Sequence, residues 1–192
     1  MYQETVHENV EDMLAVETDL HQMLRHQKEE GSLAKHTRAQ ALIQRIEETT
    51  DENLGDLRAC AEQLGGQSTL KKAVGAVTGL ASGIWQRARQ SDSASRIMRD
   101  AYAALSFAVV CYEMLHTTAL AAGDTRTADL ALQHMKSYAP LIIELTEMIP
   151  EVVVAELSSE GKLPSDEQAA REAVQNARSA WNAAQSEATQ TH

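Results

Sequence analysis

Apolar residues recur every three or four positions along four long stretches of this chain, which is the spacing of one face of an α-helix. The stretches cover residues 4–30, 33–64, 95–122 and 125–150. Gly31, Gly65 and Gly123 follow three of them, and glycine commonly ends a helix because it adopts left-handed backbone angles without a Cβ clash. The pattern predicts an all-α fold in which long amphipathic helices pack as a bundle.

Composition favours helix over sheet and limits the classes of function. Of the 192 residues, 43% are hydrophobic but only 4% are aromatic, and helix formers dominate over β-branched runs. The net charge of −11 argues against a nucleic-acid partner, which needs clustered Lys and Arg. No unbroken apolar run reaches the roughly 18 residues of a membrane span, and no signal-peptide pattern opens the chain. We therefore expect a soluble cytoplasmic protein with no membrane partner.

Two segments outside the four stripes differ in composition. Between Gln67 and Ser95, glycines recur every four residues in a short apolar pattern, which predicts a crossover helix packed closely on the bundle. After Ser158 the chain becomes rich in Ser, Glu, Gln and Ala with a thin apolar stripe, which predicts a peripheral or frayed helix. We therefore divide the chain into a bundle domain, 1–157, and a C-terminal tail, 158–192.

Two kinds of side chain in these patterns have a structural and a functional interpretation. Cys60 and Cys111 lie among small apolar residues in helical patterns, where a thiol usually acts as a small buried hydrophobe. Trp181 in the tail is either an anchor on the bundle or on a second subunit, or a single exposed aromatic. No Ser-His-Asp or Cys-His arrangement, phosphate-binding glycine loop or Cys-x-x-Cys motif is found, so we assign no catalytic residue.

Glu17 interrupts the first apolar stripe. It falls between Met13 and Leu20, where a hydrocarbon side chain is expected. A carboxylate there needs partners, because an unpartnered buried charge costs several kcal/mol. Four-helix bundles that bind two metals place an inward Glu on two helices and a Glu-x-x-His pair on each of the other two. Glu17 therefore raises the question of a metal site.

A candidate metal site can be assembled from three of the stripes. It combines Glu17 with Glu47 or Glu48 of the second stripe and with Glu113 and His116 of the third. The spacing of Glu113 and His116 places both side chains on one face of a helix, as a bundle metal site requires. We take Glu17, Glu48, Glu113 and His116 as the predicted ligands, which would hold iron or manganese.

A second interpretation of Glu17 needs no cofactor. At the matching depth the second helix offers Thr50 and Asn53, neither of which is a strong metal ligand. These two side chains and Tyr112, or a trapped water, would then hold Glu17 by hydrogen bonds. We prefer this second interpretation, in which no cofactor is bound.

Several short segments between residues 10 and 150 match a known family. The segment from Leu14 to Leu20 is similar to the first-helix sequence Asp-Ala-Glu-x-Gln-Leu, with Glu17 on its Glu. The remaining matches are Thr50, Leu57 and Leu64-Gly65, then Lys72, Ala76, Gly79 and Leu80, then Arg99-Asp100-Ala101 and Tyr112-Glu113. On these residues the chain resembles the bacterial stress-associated ferritin-like proteins of the YciE/YciF type. The resemblance implies an antiparallel four-helix bundle with a crossover helix between helices two and three and an extra C-terminal helix.

The chain departs from this family where metal ligands are expected. Asn53, Ile46 and Cys111 stand at positions where the family has His, and the paired acidic residues of the fourth helix are replaced by Ser137-Tyr138-Ala139-Pro140. A di-iron centre needs about four carboxylates and two imidazoles. The resemblance therefore implies a metal centre that is partly lost.

Three hypotheses of function remain from the sequence. The first is a non-catalytic ferritin-like bundle with a degenerate di-metal site, acting in stress or as an interaction protein and forming a homodimer. The second is a di-iron or di-manganese carboxylate enzyme that acts on peroxide or dioxygen. The third is an α-helical adaptor for a protein partner, unrelated to ferritin.

Overall fold

The computed structural model describes residues 2–29, 31–65 and 93–190, and within these ranges its regular structure is entirely helical. The helices are α1 (Tyr2–Glu29), α2 (Thr37–Gln63), α3 (Ala94–Ala122), α4 (Thr125–Ser159) and α5 (Glu167–Gln190), with a short 3₁₀ turn at Ser32–Lys35. The predicted all-α class is confirmed. The predicted crossover helix falls in residues 66–92, outside the described residues.

The helix ends follow the local chemistry of the sequence. Gly31 and Gly123 have φ angles of 72° and 75°, a left-handed conformation that glycine adopts without a side-chain clash. Asp124 caps α4, because its carboxylate accepts a hydrogen bond from the Thr127 amide at 3.0 Å and so satisfies one of the free N–H groups of the first turn. Residues 32–35 form the 3₁₀ turn, so α2 begins at Thr37, later than its apolar pattern predicts.

Contacts between helix ends show that α2 and α4 run antiparallel. Near the start of α2, Arg38 forms an ion pair with Glu151 near the end of α4, at 2.7 Å. Near the end of α2, the Cys60 sulfur lies 3.6 Å from the hydroxyl of Thr127 at the start of α4. The short connections at residues 30–36 and 123–124 make α1 antiparallel to α2 and α3 antiparallel to α4.

The start of α3 is held at the end of α4. The Glu156 carboxylate accepts hydrogen bonds from the amides of Ala94 at 2.5 Å and of Ser95 at 3.2 Å. It follows that α2 and α3 run parallel, and that Gly65 and Ser93 lie at opposite ends of the bundle. The distance between these ends is roughly 40 Å, since α2 has 27 residues and a helix rises about 1.5 Å per residue. The described residues on either side of this connection, Gly65 and Ser93, therefore lie far apart along the bundle axis.

Four helices enclose the hydrophobic core. α1 packs against α2 and α3, and α4 packs against α2 and α3, so that each apolar stripe faces inward. Alanines make much of the buried face of α3, which allows α4 to approach it closely. The largest fully buried apolar side chains include Met13, Leu20, Met23, Leu24, Leu42, Ile43, Ile46, Leu54, Leu57 and Ile97.

α4 continues through two prolines. Pro140 and Pro150 both lie within the helix, although proline removes one backbone hydrogen bond. Pro140 is on the exposed side, and the carbonyl that it leaves without its usual partner belongs to Lys136, which is also exposed. Water can therefore satisfy that carbonyl.

α5 packs along α4 at its first turns. Ala170 is buried and Val174 is half-buried, and Arg178 forms an ion pair with Glu147 of α4. Trp181 is 63% exposed, so it does not anchor α5 on the helices that the structure describes. Its predicted alternative role on a second subunit stays a prediction.

α3 has the length and composition of a membrane-spanning helix. Its best 18-residue window has a mean hydropathy of 1.3, and 33% of that window is buried. The core helix of a water-soluble bundle passes the same test. The sequence analysis considered only unbroken apolar runs and therefore missed this property, because single polar residues interrupt the apolar window of α3.

Candidate functional site

Glu17 lies fully buried between helices α1, α3 and α4, with both carboxylate oxygens hydrogen-bonded. The hydroxyl of Tyr112 on α3 donates to Oε1 at 2.6 Å. The hydroxyl of Tyr138 on α4 donates to Oε2, also at 2.6 Å. The side chains of Glu17 and both tyrosines are 0% exposed. Two phenols thus supply the partners that a carboxyl group needs inside an apolar core.

Thr50 on α2 completes a network that fits both protonation states of the carboxyl group. The Tyr138 oxygen lies 3.1 Å from the Thr50 hydroxyl, which itself donates to the carbonyl of Ile46 at 2.8 Å. A phenol has one hydrogen, so with ionised Glu17 the Tyr138 hydrogen goes to the carboxylate. With protonated Glu17, the acid can donate to Tyr138, and Tyr138 to Thr50. Neither state leaves the carboxyl group without a partner.

Asn53 on α2 is a buried polar residue that influences this network without a direct hydrogen bond to it. It is 4% exposed, and its Nδ2 meets no acceptor at hydrogen-bonding geometry among the described residues. It nevertheless lowers the pKa of both Glu17 and Tyr138. We attribute this effect to the amide dipole acting through space, because the geometry does not support a direct hydrogen bond.

A second row of polar groups connects the buried carboxyl group to the surface. The Tyr112 oxygen lies 2.9 Å from Nδ1 of His134, and Nε2 of His134 lies 3.3 Å from a carboxylate oxygen of Asp56. The His134 side chain is 1% exposed and that of Asp56 is 54% exposed. A line of hydrogen-bonding groups therefore runs from Glu17 through α3 and α4 to solvent.

The protonation of His134 is coupled to that of Tyr112 and Glu17. A neutral imidazole has one N–H, so it donates to either Tyr112 or Asp56. If it donates to Asp56, Tyr112 must share its single hydrogen between the imidazole and Glu17. Only the protonated imidazole donates to both Tyr112 and Asp56. Burial lowers the pKa of His134 and Asp56 partly offsets this effect.

Burial dominates the acid–base behaviour of Glu17. Its pKa rises from 4.5 to about 7, mainly because burial disfavours the charged form, while hydrogen bonds from Tyr112 and Tyr138 partly oppose the rise. The pKa values of both tyrosines lie well above 10.0, first because of burial and then because of the nearby carboxylate. Of these three groups, only Glu17 has a pKa near neutral pH.

The structure does not bring the predicted metal ligands together. Glu48 is exposed and accepts a hydrogen bond from Gln44 at 3.0 Å. Glu113 is exposed, and Nδ1 of His116 lies 2.7 Å from the carbonyl of Ala128. Glu17 alone of the four ligands faces the core. In the described part of the chain, no three His, Cys, Asp or Glu side chains converge as a metal site would require.

The sequence identified Glu17 as the central residue but only part of its surroundings. The predicted hydrogen bond from Tyr112 is present, whereas Thr50 contacts Tyr138 instead of Glu17. Tyr138 and His134 were not assigned to the site. The sequence contained a signal for both residues, because each places a polar atom on the buried face of α4.

These features define an all-α protein whose described helices enclose a hydrogen-bonded carboxyl group. Comparison of the chain with protein-family models, curated proteins and solved structures gives no match.

Proposed function

We propose that this chain is a non-catalytic, ferritin-like helical-bundle protein with a degenerate di-metal site, acting in a stress response or as an interaction protein. The observation that carries the proposal is the enclosure of Glu17 by the hydroxyls of Tyr112 and Tyr138. In the family that the sequence resembles, the position of Glu17 belongs to a metal ligand. Here each of its oxygens accepts a hydrogen bond from a phenol.

The helix directions support the ferritin-like part of the proposal. α2 and α3 run parallel, and the chain between Gly65 and Ser93 joins opposite ends of the bundle. One long crossover connection is typical of ferritin-like bundles, whereas simple up-and-down bundles use short connections throughout. This topology follows from the end contacts of the described helices and does not depend on the resemblance in sequence.

The residues around Glu17 support the loss of the metals. A di-metal centre needs several carboxylates and imidazoles that converge, but Glu48 and Glu113 are exposed. Asn53 stands nearby, at a position where the family has His. An enzyme acting on peroxide or dioxygen would need Glu48 and Glu113 to turn inward and displace apolar side chains. The non-catalytic proposal requires no such rearrangement.

Metal analysis tests the proposal. The protein is purified without chelator, incubated anaerobically with Fe²⁺ or Mn²⁺, desalted and analysed for bound metal, in parallel with Glu17→Gln. We expect the same small metal content in both proteins. About two metal ions per chain in the wild type, with loss in Glu17→Gln, would contradict the proposal.

Glu113→Gln and Glu62→Gln extend the metal test to the predicted ligand set. Glu113 is one of the predicted ligands, whereas Glu62 is an exposed carboxylate near the end of α2 and serves as the matched control. Loss of metal in Glu113→Gln but not in Glu62→Gln would establish the ligand set. Equal metal content in all four proteins supports a bundle without a di-metal centre.

A further inference from the structure

The row of side chains from Glu17 to the surface has more hydrogen-bonding contacts than its neutral phenol and imidazole have hydrogens. We call Glu17, Tyr112, His134 and Asp56 the outer arm. The Tyr112 oxygen lies 2.6 Å from Oε1 of Glu17 and 2.9 Å from Nδ1 of His134, and Nε2 of His134 lies 3.3 Å from Oδ2 of Asp56. Three contacts need three hydrogens, whereas the phenol and a neutral imidazole supply one each. One further hydrogen is therefore required.

Burial places the third hydrogen of the outer arm on Glu17. Asp56 is 54% exposed, so water stabilises its charge, and an ionised carboxylate only accepts hydrogen bonds. If the hydrogen were on His134 with Glu17 ionised, two charges would lie in the core, because both side chains are buried. A protonated Glu17 beside a neutral His134 places no charge there. The pKa shifts agree with this assignment, since burial raises the pKa of Glu17 to about 7 and lowers that of His134.

The Tyr138 hydroxyl is a competing acceptor for the hydrogen of protonated Glu17. It lies 2.6 Å from Oε2 of Glu17 and 3.1 Å from the Thr50 hydroxyl. If Glu17 donates to Tyr112, then Tyr138 still donates to Oε2 and Thr50 still donates to a backbone carbonyl, so every hydrogen is used. If Glu17 donates to Tyr138, the outer arm has two hydrogens for three contacts, and a buried acceptor loses its only hydrogen bond. Donation to Tyr112 is therefore the more stable arrangement.

Asp56 is the ionised group in hydrogen-bonding contact with the outer arm among the described residues. Glu17 on α1 faces Tyr112 of α3 and Tyr138 of α4, and burial raises the pKa values of both phenols well above their ordinary value. His134 on α4 faces Tyr112 of α3 and Asp56 of α2. The two phenols therefore stay neutral, and the charge at the end of the arm belongs to Asp56.

We propose that Asp56 is a positioning residue that directs the hydrogen bonds of the outer arm toward the surface and thereby keeps Glu17 protonated. As an ionised acceptor, Asp56 holds the single hydrogen of neutral His134 on Nε2. Nδ1 then accepts from Tyr112, and Tyr112 accepts from Glu17. The 2.6 Å separation of the last two oxygens suits this direction as well as donation by Tyr112 to an ionised carboxylate. The inference rests on the proposed function, in which Glu17 binds no metal.

Asp56→Asn should reverse the direction of the outer arm. The amide of the new side chain donates where the carboxylate only accepts, so it supplies the third hydrogen to Nε2 of His134. The imidazole then carries its own hydrogen on Nδ1 and donates it to Tyr112, which in turn donates to Glu17. The ionised form of Glu17 gains a donor, so its pKa should fall by about one unit, which is the effect of one hydrogen bond to a charged group.

Two-bond ¹H–¹⁵N NMR correlation spectra of the histidine rings measure the tautomer of His134 directly. The chain has seven histidines, and the signals lost in His134→Gln identify the relevant ring. In metal-free protein at pH 6, we expect the Nε2–H tautomer in the wild type and the Nδ1–H tautomer in Asp56→Asn. Asp51→Asn is the matched control, since the Asp51 side chain is 70% exposed on the same helix, and it should retain the wild-type tautomer.

A pH profile of stability separates the direction of the hydrogen bonds from the loss of the Asp56 charge. Urea unfolding between pH 4.5 and pH 8 should place the Glu17-dependent fall in stability about one pH unit lower in Asp56→Asn than in the wild type. In a Tyr112→Phe background, Asp56→Asn should cause no such shift, because the arm is interrupted, whereas an effect of charge alone would persist. Unchanged helical circular dichroism will show that each variant is folded.

Two results in metal-free protein would overturn the proposal. One is a wild-type His134 that is an imidazolium or an Nδ1–H tautomer at pH 6, because the hydrogen bonds would then not run toward Asp56. The other is an Asp56→Asn protein in which His134 keeps its hydrogen on Nε2. Metal bound at Glu17 would contradict the proposed function and this proposal with it, and the metal analysis distinguishes that failure from a different tautomer in metal-free protein.

Discussion

The Tyr138 hydroxyl and the Glu17 carboxylate are 121 residues apart in the sequence and meet at 2.6 Å inside the helices. This contact joins the last helix of the bundle to the first. It gives one oxygen of a fully buried carboxyl group a strong hydrogen-bond donor, and Tyr112 gives the other oxygen the same. The stability of the bundle should therefore depend on the protonation of Glu17 and on each phenol.

We expect Glu17 to make the protein less stable as the pH rises from about 4.5 to about 7. Its pKa is about 7 when folded, against an ordinary value of 4.5, so between these pH values the folded state binds more protons than the unfolded state. The stabilising contribution of Glu17 is fully present below pH 4.5, falls as the pH rises, and is lost above about pH 7. The shift corresponds to about 3 kcal/mol.

Urea unfolding of the wild type and of Glu17→Gln across this pH range measures the effect. The difference in unfolding free energy between the two proteins should change by about 3 kcal/mol, because all other titrating groups are shared. Glu48→Gln, an exposed control on α2, should follow the wild type. A difference that stays constant from pH 4.5 to 7 would show that Glu17 does not have the raised pKa.

Tyr138→Phe should destabilise the protein by about 1–3 kcal/mol, since it removes a hydrogen bond to a buried group that can be charged. The loss should be larger at pH 8 than at pH 5, because the hydroxyl donates most strongly to the ionised carboxylate. Chemical denaturation at the two pH values measures this difference. Tyr2→Phe is the matched control, since Tyr2 is 73% exposed, and it should have no measurable effect. Equal losses at both pH values would contradict this assignment of donor and acceptor.

Tyr112 and His134 should act as a coupled pair. The rings also meet edge to face, with centroids 5.0 Å apart. In a double-mutant cycle of Tyr112→Phe and His134→Gln, we expect a coupling energy of about 1 kcal/mol, because each change removes a partner of the other. The coupling energy is calculated from the unfolding free energies of the wild type, the two single variants and the double variant. A cycle of Tyr112→Phe with Gln44→Ala on the surface should show no coupling.

Two glycines in different backbone conformations should respond oppositely to alanine. Gly123 has a φ angle of 75°, where a Cβ atom is strained, so Gly123→Ala should destabilise the protein by about 1 kcal/mol. Gly55 lies inside α2, where a Cβ atom would meet nothing within 4 Å beyond the backbone of its own helix. Gly55→Ala should stabilise the protein by about 0.5–1 kcal/mol, because alanine favours the helix. Thermal unfolding of the two variants compares them directly.

The positions of the helices could be predicted well from the sequence. The apolar spacing and the terminating glycines located α1, α3 and the start of α4 to within a few residues. The start of α2 was placed too early, because residues 32–35 continue the apolar spacing but form a 3₁₀ turn. Helix ends depend on capping and on turn geometry, which apolar spacing does not report.

The candidate site could be predicted only in part. Glu17 was found because a carboxylate in an apolar stripe is a local anomaly. Glu48 and Glu113 were assigned with it because their spacing is compatible with a metal site, yet both face solvent. Spacing along one helix fixes which residues share a face, but it does not fix which face turns toward the other helices.

The sequence by itself determined that this protein is helical, where its helices lie, and that one acidic side chain interrupts an apolar stripe. These properties depend on residues a few positions apart, so the local pattern contains them. Only the tertiary structure decided that Tyr138 donates to Glu17, that Thr50 contacts Tyr138, and that His134 links Tyr112 to Asp56. Those contacts depend on the rotation and axial position of one helix relative to another, which packing of the whole core sets.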